Sequence, residues 1–227
     1  KPDLVAVQEC PVWRRWQIPK PWRVRRAGEM LVVSAYPIVD KSVWRHRSER
    51  KHGYPDVHAL YCVVKTPAGN VGFANIHLET PRFGLSTVLD RETLLDLEHT
   101  ENADARLERR RQESEAMVEW LGRFPEPKIR AGDFNMPVES TIYRRYWSRY
   151  RNAFTWAGTG FGYSKQTEIR GYVYGTRIDH ILTDGHWRAL RCYLGPDLGS
   201  DHLPLVADLT RESVETQDAD KTTAVES

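Results

Sequence analysis

The sequence predicts an α+β fold in which two packed β-sheets are flanked by helices. Short segments rich in Val, Ile and Tyr recur along most of the 227 residues, and only a few helical patterns lie between them. The hydrophobic content of 40% is sufficient for a sizeable core. Charged residues interrupt every apolar run well before about 18 positions, so these residues are not expected to cross a membrane.

Each predicted strand is a short run in which apolar and β-branched residues alternate or cluster. In chain order, the predicted strands are Leu4–Val7, Met30–Ser34, Val57–Thr66, Val71–Leu78, Lys128–Ala131, Arg177–Thr183 and Leu203–Leu209. Their number, compared with the small number of helices, favours sheets that pack face to face.

The clearest helical pattern runs from Ala103 to Gly122. Its apolar positions, which include Leu107 and Met117, partly trace one face among many charges, and Pro125 follows as a stop signal. Weaker helices are predicted at 86–97 and 141–150, and a loop rich in glycine and tyrosine is predicted at 158–174.

We expect one domain at residues 1–210, followed by an acidic tail at 211–227. The tail is rich in Thr, Ser, Gln and acidic residues, a composition typical of disorder. The chain begins without Met and enters a predicted strand almost at once, which suggests that its start is missing. A targeting or membrane segment would lie there, so the sequence leaves the cellular compartment open.

The three cysteines, Cys10, Cys62 and Cys192, lie far apart and form no CxxC pair. This spacing indicates neither a zinc site nor a disulfide framework, so all three are predicted to be buried thiols. A reducing compartment would fit this count.

Residue types that bind metals or transfer protons collect at the ends of five predicted strands. The segments are LVAVQE, which ends on Glu9, GFANIHLE with His77, KIRAGDFN with Asp133 and Asn135, RIDHIL with Asp179, and SDHLPLVADL, which opens with Asp201 and His202. A carboxylate beside an apolar strand is costly to bury unless a partner compensates its charge. Five such clusters therefore predict one shared partner.

The donor types in these segments predict a hard divalent cation. Oxygen donors dominate and thiols are absent, which suits Mg²⁺ or Mn²⁺ better than zinc. Because Mg²⁺ takes only one or two protein carboxylates and keeps several waters, Glu9 and Asp201 are the predicted ligands.

Strand alternation predicts how these segments divide packing from chemistry. In GDFN, Asp133 and Asn135 should face one side while Phe134 enters the core. In ANIHLE, His77 should share the polar face while Ile76 packs on the other side.

The strings PDLVAVQE, NIHLE, AGDFN, RIDHIL and SDHLPLVADL resemble, in order, the motifs of the endonuclease/exonuclease/phosphatase superfamily. This group includes deoxyribonuclease I, exonuclease III and the inositol polyphosphate and sphingomyelin phosphodiesterases. The resemblance extends from Pro2 to Leu209, and five motifs in order are far more specific than any one. It implies a deoxyribonuclease I-like sandwich and hydrolysis of a phosphate ester by in-line attack of water.

The resemblance also implies a role for each matched residue. Glu9 would hold the metal, Asp133 would position or deprotonate the attacking water, and Asn135 would orient the phosphate. His202 would stabilise or protonate the phosphoryl transition state, and Asp179 would fix the tautomer of this imidazole.

His77 matches the branch that contains deoxyribonuclease I, whereas the exonuclease III branch usually has tyrosine there. The family normally has a further strand before the one that ends in Glu9, and that strand carries an Asn of the metal site. This sequence lacks that segment, so we expect the sandwich without its first strand and leave the activity of this chain open.

Structural explanations compete with these roles. Asp179 would pair with Arg177 if the two shared a strand face, and a hydrogen bond to Asn75 or Glu79 would explain His77. The charged run 106–111 is most simply the solvent face of a helix.

Two further basic features concern the substrate. Arg82 is a candidate phosphate ligand because it follows His77 closely, and it would equally serve as a surface residue. The segment from Trp13 to Arg26 interleaves aromatic and basic residues, as sites for nucleic acid or anionic lipid do, and an arginine face over packed tryptophans explains it as well.

Two functions follow from these patterns. The first is a magnesium-dependent phosphodiesterase or phosphomonoesterase that acts as a monomer, without an obligate protein partner, on a nucleic acid, a lipid headgroup or a small phosphate ester. The second is a family member with impaired catalysis that binds nucleic acid or anionic lipid through the Trp13 to Arg26 segment. The sequence does not identify the substrate, because specificity lies in variable loops.

Overall fold

The computed structural model describes residues 1–11, 18, 20–51, 54–81, 97–125, 127–169 and 172–212. Its strands, in chain order, are β1 (Leu4–Val7), β2 (Arg23–Ala27), β3 (Met30–Ser34), β4 (Ile38–Lys51), β5 (Tyr54–Thr66), β6 (Gly69–His77), β7 (Lys128–Asp133), β8 (Arg151–Asn152), β9 (Lys165–Ile169), β10 (Tyr172–Thr176), β11 (Asp179–Thr183), β12 (Trp187–Leu194) and β13 (Leu205–Arg211). Its helices are α1 (Leu97–Gly122), α2 (Thr141–Tyr146) and α3 (Ala153–Ala157).

A six-stranded sheet in the order β4-β5-β6-β7-β11-β8 forms the centre of the protein. Within it, β6 and β7 run parallel and the other neighbours run antiparallel. A three-stranded sheet in the order β1-β3-β2 and the antiparallel pair β12-β13 are separate sheets, and β9 pairs with β10 outside both.

The two faces of the central sheet are buried against different layers. On one face, side chains such as Ile76 and Leu182 pack with Met117 and Leu121 of α1 and with Tyr143 of α2. On the other face, residues of β5, β6 and β7 pack against the three-stranded sheet and the β12-β13 pair. The predicted α+β sandwich of packed sheets with helices is therefore confirmed.

All seven predicted strands are present; β1 and β3 have the predicted bounds, and the other five have shifted ends. For example, β7 continues to Asp133, and β11 begins at Asp179 instead of Arg177. The strongest predicted helix is also present and begins at Leu97, whereas the helix predicted at 141–150 ends at Tyr146. Residues 86–96 of the other predicted helix, and residues 213–227 of the predicted tail, lie outside the described residues.

The prediction of a continuous loop at 158–174 was wrong, because β9 and β10 form a hairpin there. Tyr172, Val173 and Tyr174 are all exposed, so β10 shows no alternation of buried and exposed positions. A strand that buries neither face lacks the alternating pattern by which sequence identifies strands.

Cys10, Cys62 and Cys192 are buried free thiols, as their spacing predicts. Among the described helices, none has the length and apolar character needed to cross a bilayer.

Candidate active site

Strand register brings three of the predicted site residues into one row. His77 at the end of β6 is the partner of Asp133 at the end of β7, and Asp133 is the partner of Asp179 at the start of β11. Partner residues on neighbouring strands project to the same face of a sheet. The three side chains therefore lie side by side on the face that meets the second layer.

Glu9 and His202 complete this row from other parts of the chain. His77 Nε2 lies 3.8 Å from Glu9 Oε1 and 3.9 Å from Asp133 Oδ2. His202 Nδ1 lies 2.8 Å from Asp179 Oδ2, and its Nε2 lies 3.9 Å from Asp133 Oδ2. Five sequence-predicted residues, one from each of the five segments, thus surround one point, with the carboxylate of Asp133 at the centre.

Asp179 is hydrogen-bonded to His202 and is not paired with Arg177, which was the alternative explanation for this aspartate. The Asp179 carboxylate accepts from the imidazole of His202, while the guanidinium of Arg177 lies over the ring of Phe154 at 5.0 Å. Asn75 was considered as a hydrogen-bond partner of His77. Its side-chain amide donates to the backbone carbonyls of Val7 in β1 and Leu31 in β3, so it belongs to the contact between the layers.

Asp133, Asp179 and His202 each offer a ligand atom within 4.8 Å of the others, a spacing that can hold a metal ion. Two carboxylates and one imidazole are a donor set that hard divalent cations accept. Asp201 points elsewhere, since its carboxylate is paired with the ammonium group of Lys165.

The electrostatics of the site favour bound protons near neutral pH. Burial, followed by the charge of Asp179, raises the pKa of Asp133 to about 7. Burial disfavours the charged form of His202, but the hydrogen bond and the charge of Asp179 outweigh it, and the pKa of His202 is raised. The site can therefore hold and exchange a proton.

Backbone conformation at the ends of β1 and β7 is unusual. In the described part of the chain, the non-glycine residues with positive φ are Glu9 (φ 50°) and Asn135 (φ 52°). The Asn135 turn is fixed on both sides, because its backbone N–H donates to Asp133 Oδ1 at 2.7 Å and its Nδ2 donates to Leu78 O at 2.8 Å. Such conformations persist where the surrounding structure determines them, and they cluster at functional sites.

The segment before β13 presents His202 through a turn. Gly199 has φ 78°, Ser200 Oγ accepts from the backbone N–H of His202 at 3.2 Å, and Ser164 O accepts from Leu203 N at 2.7 Å. Ser164 Oγ also accepts from the backbone N–H of Asp179 at 3.2 Å. The loop before β9 therefore ties the two members of the His–Asp pair together.

Arg110 was missed by the sequence interpretation, which assigned 106–111 to the solvent face of a helix. Its guanidinium donates to Glu79 O at 3.1 Å and to Asn135 O at 2.7 Å, so it bridges the chain just beyond β6 and just beyond β7. No periodic pattern reveals this role, because both acceptors are backbone carbonyls distant in sequence. Lys165, the partner of Asp201, was also missed, since it lay in a predicted loop.

The remaining predicted residues are only partly described. Arg82 lies outside the described residues, as do positions 13–17 and 19 of the basic and aromatic segment. At its described end, Arg25 donates to Ile38 O at 3.1 Å and Arg26 donates to Cys10 O at 3.1 Å.

Comparison with known proteins places these features in a family. The family model described as "Endonuclease/Exonuclease/phosphatase family" matches residues 1–202. No curated protein is a significant sequence match to the chain.

Solved structures share the fold at low sequence identity. An endonuclease/exonuclease/phosphatase family protein from Leptotrichia buccalis C-1013-b superposes with a TM-score of 0.61 at 14% identity, covering 92% of this chain and 87% of that one. The 3'-5' exonuclease NExo from Neisseria meningitidis gives 0.55 at 15% identity, covering 91% and 89%. The mannosyl-6-phosphatase Bt3783 from Bacteroides thetaiotaomicron VPI-5482 gives 0.50 at 15% identity, covering 92% and 76%.

Proposed function

Because the chain belongs to the endonuclease/exonuclease/phosphatase family, we propose that it is a phosphoesterase that uses a divalent cation to hydrolyse a phosphodiester or a phosphomonoester with water. The observation that best supports this function is the contact of His202 with Asp179 beside the buried carboxylate of Asp133. The proteins of similar fold include an exonuclease and a phosphatase, which supports keeping both a phosphodiester and a phosphomonoester as candidate substrates.

In this proposal, Asp133 receives the proton of the attacking water. Its carboxyl is buried, and burial followed by the charge of Asp179 raises its pKa, which makes the carboxylate a stronger general base. Asn135, held in a fixed turn next to Asp133, orients the phosphate.

His202 acts on the opposite side of the reaction, at the departing oxygen or at the charge that develops on the phosphoryl group. Its Nδ1–H donates to Asp179, which leaves Nε2 directed toward Asp133 and the space where a phosphate would lie. Asp179 is thus a positioning residue, since it fixes the tautomer and stabilises the imidazolium form.

The carboxylates of the site fit a hard cation such as Mg²⁺ or Mn²⁺. Glu9 and Asp133 both lie within 4 Å of His77 Nε2, and a cation near them would offset the repulsion that raises the pKa of Asp133. Asp201, the second ligand proposed from the sequence, would have to exchange Lys165 for the cation. When bound, the cation withdraws charge from the phosphate oxygens and orients the ester.

The direct test is hydrolysis of bis(p-nitrophenyl) phosphate, p-nitrophenyl phosphate and plasmid DNA, with Mg²⁺ and with EDTA. We expect activity on at least one substrate that EDTA abolishes. His202→Ala and Asp179→Asn should each lower turnover by roughly 10²-fold or more, the range of general acid–base catalysis. Circular dichroism should show that both variants remain folded.

Asp208→Asn is the matched control for Asp179→Asn, because Asp208 is an exposed carboxylate whose ion pair with Arg191 joins β12 to β13. It should keep full activity. Turnover that is indifferent to EDTA, or a fully active His202→Ala variant, would contradict the proposal. Binding of DNA or anionic lipid with no ester cleaved would instead support the impaired binding protein.

A further inference from the structure

Two aromatic rings are stacked on the surface of the loop that precedes β9. Phe161 and Tyr163 lie with ring centroids 5.2 Å apart and planes 11° from parallel. Their exposed fractions are 77% and 41%, so the pair gives up much of the free energy that burial would provide. Exposed apolar groups of this kind mark binding surfaces more often than isolated ones do.

The backbone around the pair is shaped to hold the rings outside the core. A Cβ atom at Gly175 would lie 2.2 Å from Tyr163 Cδ2, so the ring rests directly on the backbone of β10. Gly162, between the two aromatic residues, has φ 68°, and a Cβ there would lie 2.5 Å from the ring of Phe154. Glycine at position 175 therefore lets the ring of Tyr163 lie against β10, and glycine at position 162 lets the chain between the two rings pass close to Phe154.

The same loop is bonded to the catalytic residues. Ser164, next to Tyr163, accepts from the backbone N–H of Asp179 through its hydroxyl and from Leu203 N through its carbonyl. The backbone of Lys165 then forms an isolated antiparallel β-bridge with that of His202. The loop that carries the stacked rings is thus connected through Ser164 and Lys165 to the segments of Asp179 and His202.

A cleft of about 410 Å³ lies beside the rings, which is large enough for part of a small ligand. Its lining includes Pro137, Glu139, Phe161, Tyr163, Thr176 and Arg177. Arg177 is two residues from Asp179 in the sequence, and Pro137 is two residues from Asn135, so two of the segments that line the cleft also carry residues of the proposed phosphate site.

We propose that this cleft binds the nucleobase of a nucleotide-containing phosphoester and stacks the base on Phe161. This inference rests on the proposed phosphoesterase function and narrows its substrates to esters that contain a nucleotide. Bases stack on aromatic side chains through faces that all four share. Glu139 and Arg177 place an acceptor and a donor in the lining, where they can meet the polar edge of a base. A lipid chain offers neither a hydrogen-bond donor for Glu139 nor an acceptor for Arg177.

The test measures binding, so that it does not depend on turnover. Thymidine 5'-monophosphate and 2-deoxyribose 5-phosphate, which differ in the presence of the base, are titrated by calorimetry in Mg²⁺ into the 227-residue chain with His202→Ala, a background that keeps the ligands intact. We expect the nucleotide to bind about tenfold more tightly, and Phe161→Ala to remove most of that difference.

Trp156→Ala is the matched control, since Trp156 is also an exposed aromatic residue but lines a separate cavity with Arg151 and Glu212. It should leave the preference for the nucleotide unchanged. Equal affinity for the two ligands, or a preference that survives Phe161→Ala, overturns the base site even if esters are hydrolysed. A preference lost in Phe161→Ala upholds the base site even if no ester is hydrolysed, in which case only the catalytic proposal fails.

Discussion

Neighbouring residues Asp179 and His180 show how strand alternation separates chemistry from packing. Asp179 faces the site and accepts from His202, whereas His180 is buried on the opposite face. There His180 Nε2 lies 2.9 Å from the carbonyl of Met136, and its Nδ1 lies 3.2 Å from Asn152 Nδ2. One ring nitrogen donates and the other accepts, which defines a neutral imidazole. The histidine of the RIDHIL segment is therefore structural, and the aspartate belongs to the site.

The buried imidazole of His180 predicts a loss of stability in mild acid. Burial lowers its pKa from 6.5 to about 4, so between these values the unfolded chain binds a proton that the folded protein excludes. The contribution of His180 to stability is complete above pH 6.5 and falls by about 1.4 kcal/mol for each pH unit down to about pH 4. Urea unfolding at pH 7 and pH 5 should show a loss roughly 2 kcal/mol larger in the native protein than in His180→Gln. Identical slopes for His180→Gln and the native protein would contradict the assignment.

At the scale of elements, the pairing of β6 with β7 depends on Gly132. This residue has φ 142°, and a Cβ atom there would lie 2.0 Å from the carbonyl oxygen of Ile76. The obstacle is backbone in the middle of the sheet, which cannot move aside as a flexible side chain would. The glycine of the AGDFN segment thus permits the close approach that aligns Asp133 with His77.

Gly132→Ala should therefore destabilise the protein and disturb the site together. We expect a loss of at least about 2 kcal/mol, because the methyl group forces apart two paired strands and the φ angle is unfavourable for alanine. Urea unfolding measures the loss, and activity of the folded fraction reports the displacement of Asp133. Gly122→Ala is the control, since a Cβ at the end of α1 would have no neighbour within 4 Å. A Gly132→Ala protein as stable as Gly122→Ala would show that the close approach is not required.

The elements that the sequence predicted are those that bury one face or both. β3 is buried along its whole length, and β6 and β7 are buried along most of theirs, so their apolar runs identified them. By contrast, β12 alternates weakly, and four of its eight positions are exposed. It was missed for the same reason as the β9-β10 hairpin, because a strand at the surface is selected by pairing more than by burial.

The candidate site was predictable as a set of residues but not as a geometry. The sequence placed Asp133 and His77 at strand ends, yet only the register of the sheet makes them partners. Asp201 adjoins His202 in the chain, and its pairing with Lys165 depends on where β9 lies, which no local pattern near Asp201 shows. Interactions between a side chain and a distant loop or backbone carbonyl, such as those of Arg110, leave no trace in local patterns.

At the scale of the whole molecule, the site lies where the layers of the sandwich meet. Glu9 follows β1 of the three-stranded sheet, Asp133 and Asp179 belong to the central sheet, and His202 precedes β13. Each segment contributes charge to a shared space, and the carboxylates of Glu9 and Asp179 both act to raise the pKa of Asp133. A cation at this junction would bind to the folded arrangement and not to the separated segments, so it should stabilise the molecule as a unit.

Magnesium should accordingly raise the melting temperature of the protein. At a concentration of about 100 times its Kd, a ligand specific to the folded state adds about 2.7 kcal/mol. Scanning calorimetry with MgCl₂, compared with KCl at equal ionic strength, separates this binding from general screening. Glu9→Gln should reduce the shift, because it removes one carboxylate from the junction, whereas Glu115→Gln on the exposed side of α1 should retain it. If Glu9→Gln shows the same magnesium-dependent shift as the native protein, the cation does not bind where the sheets meet.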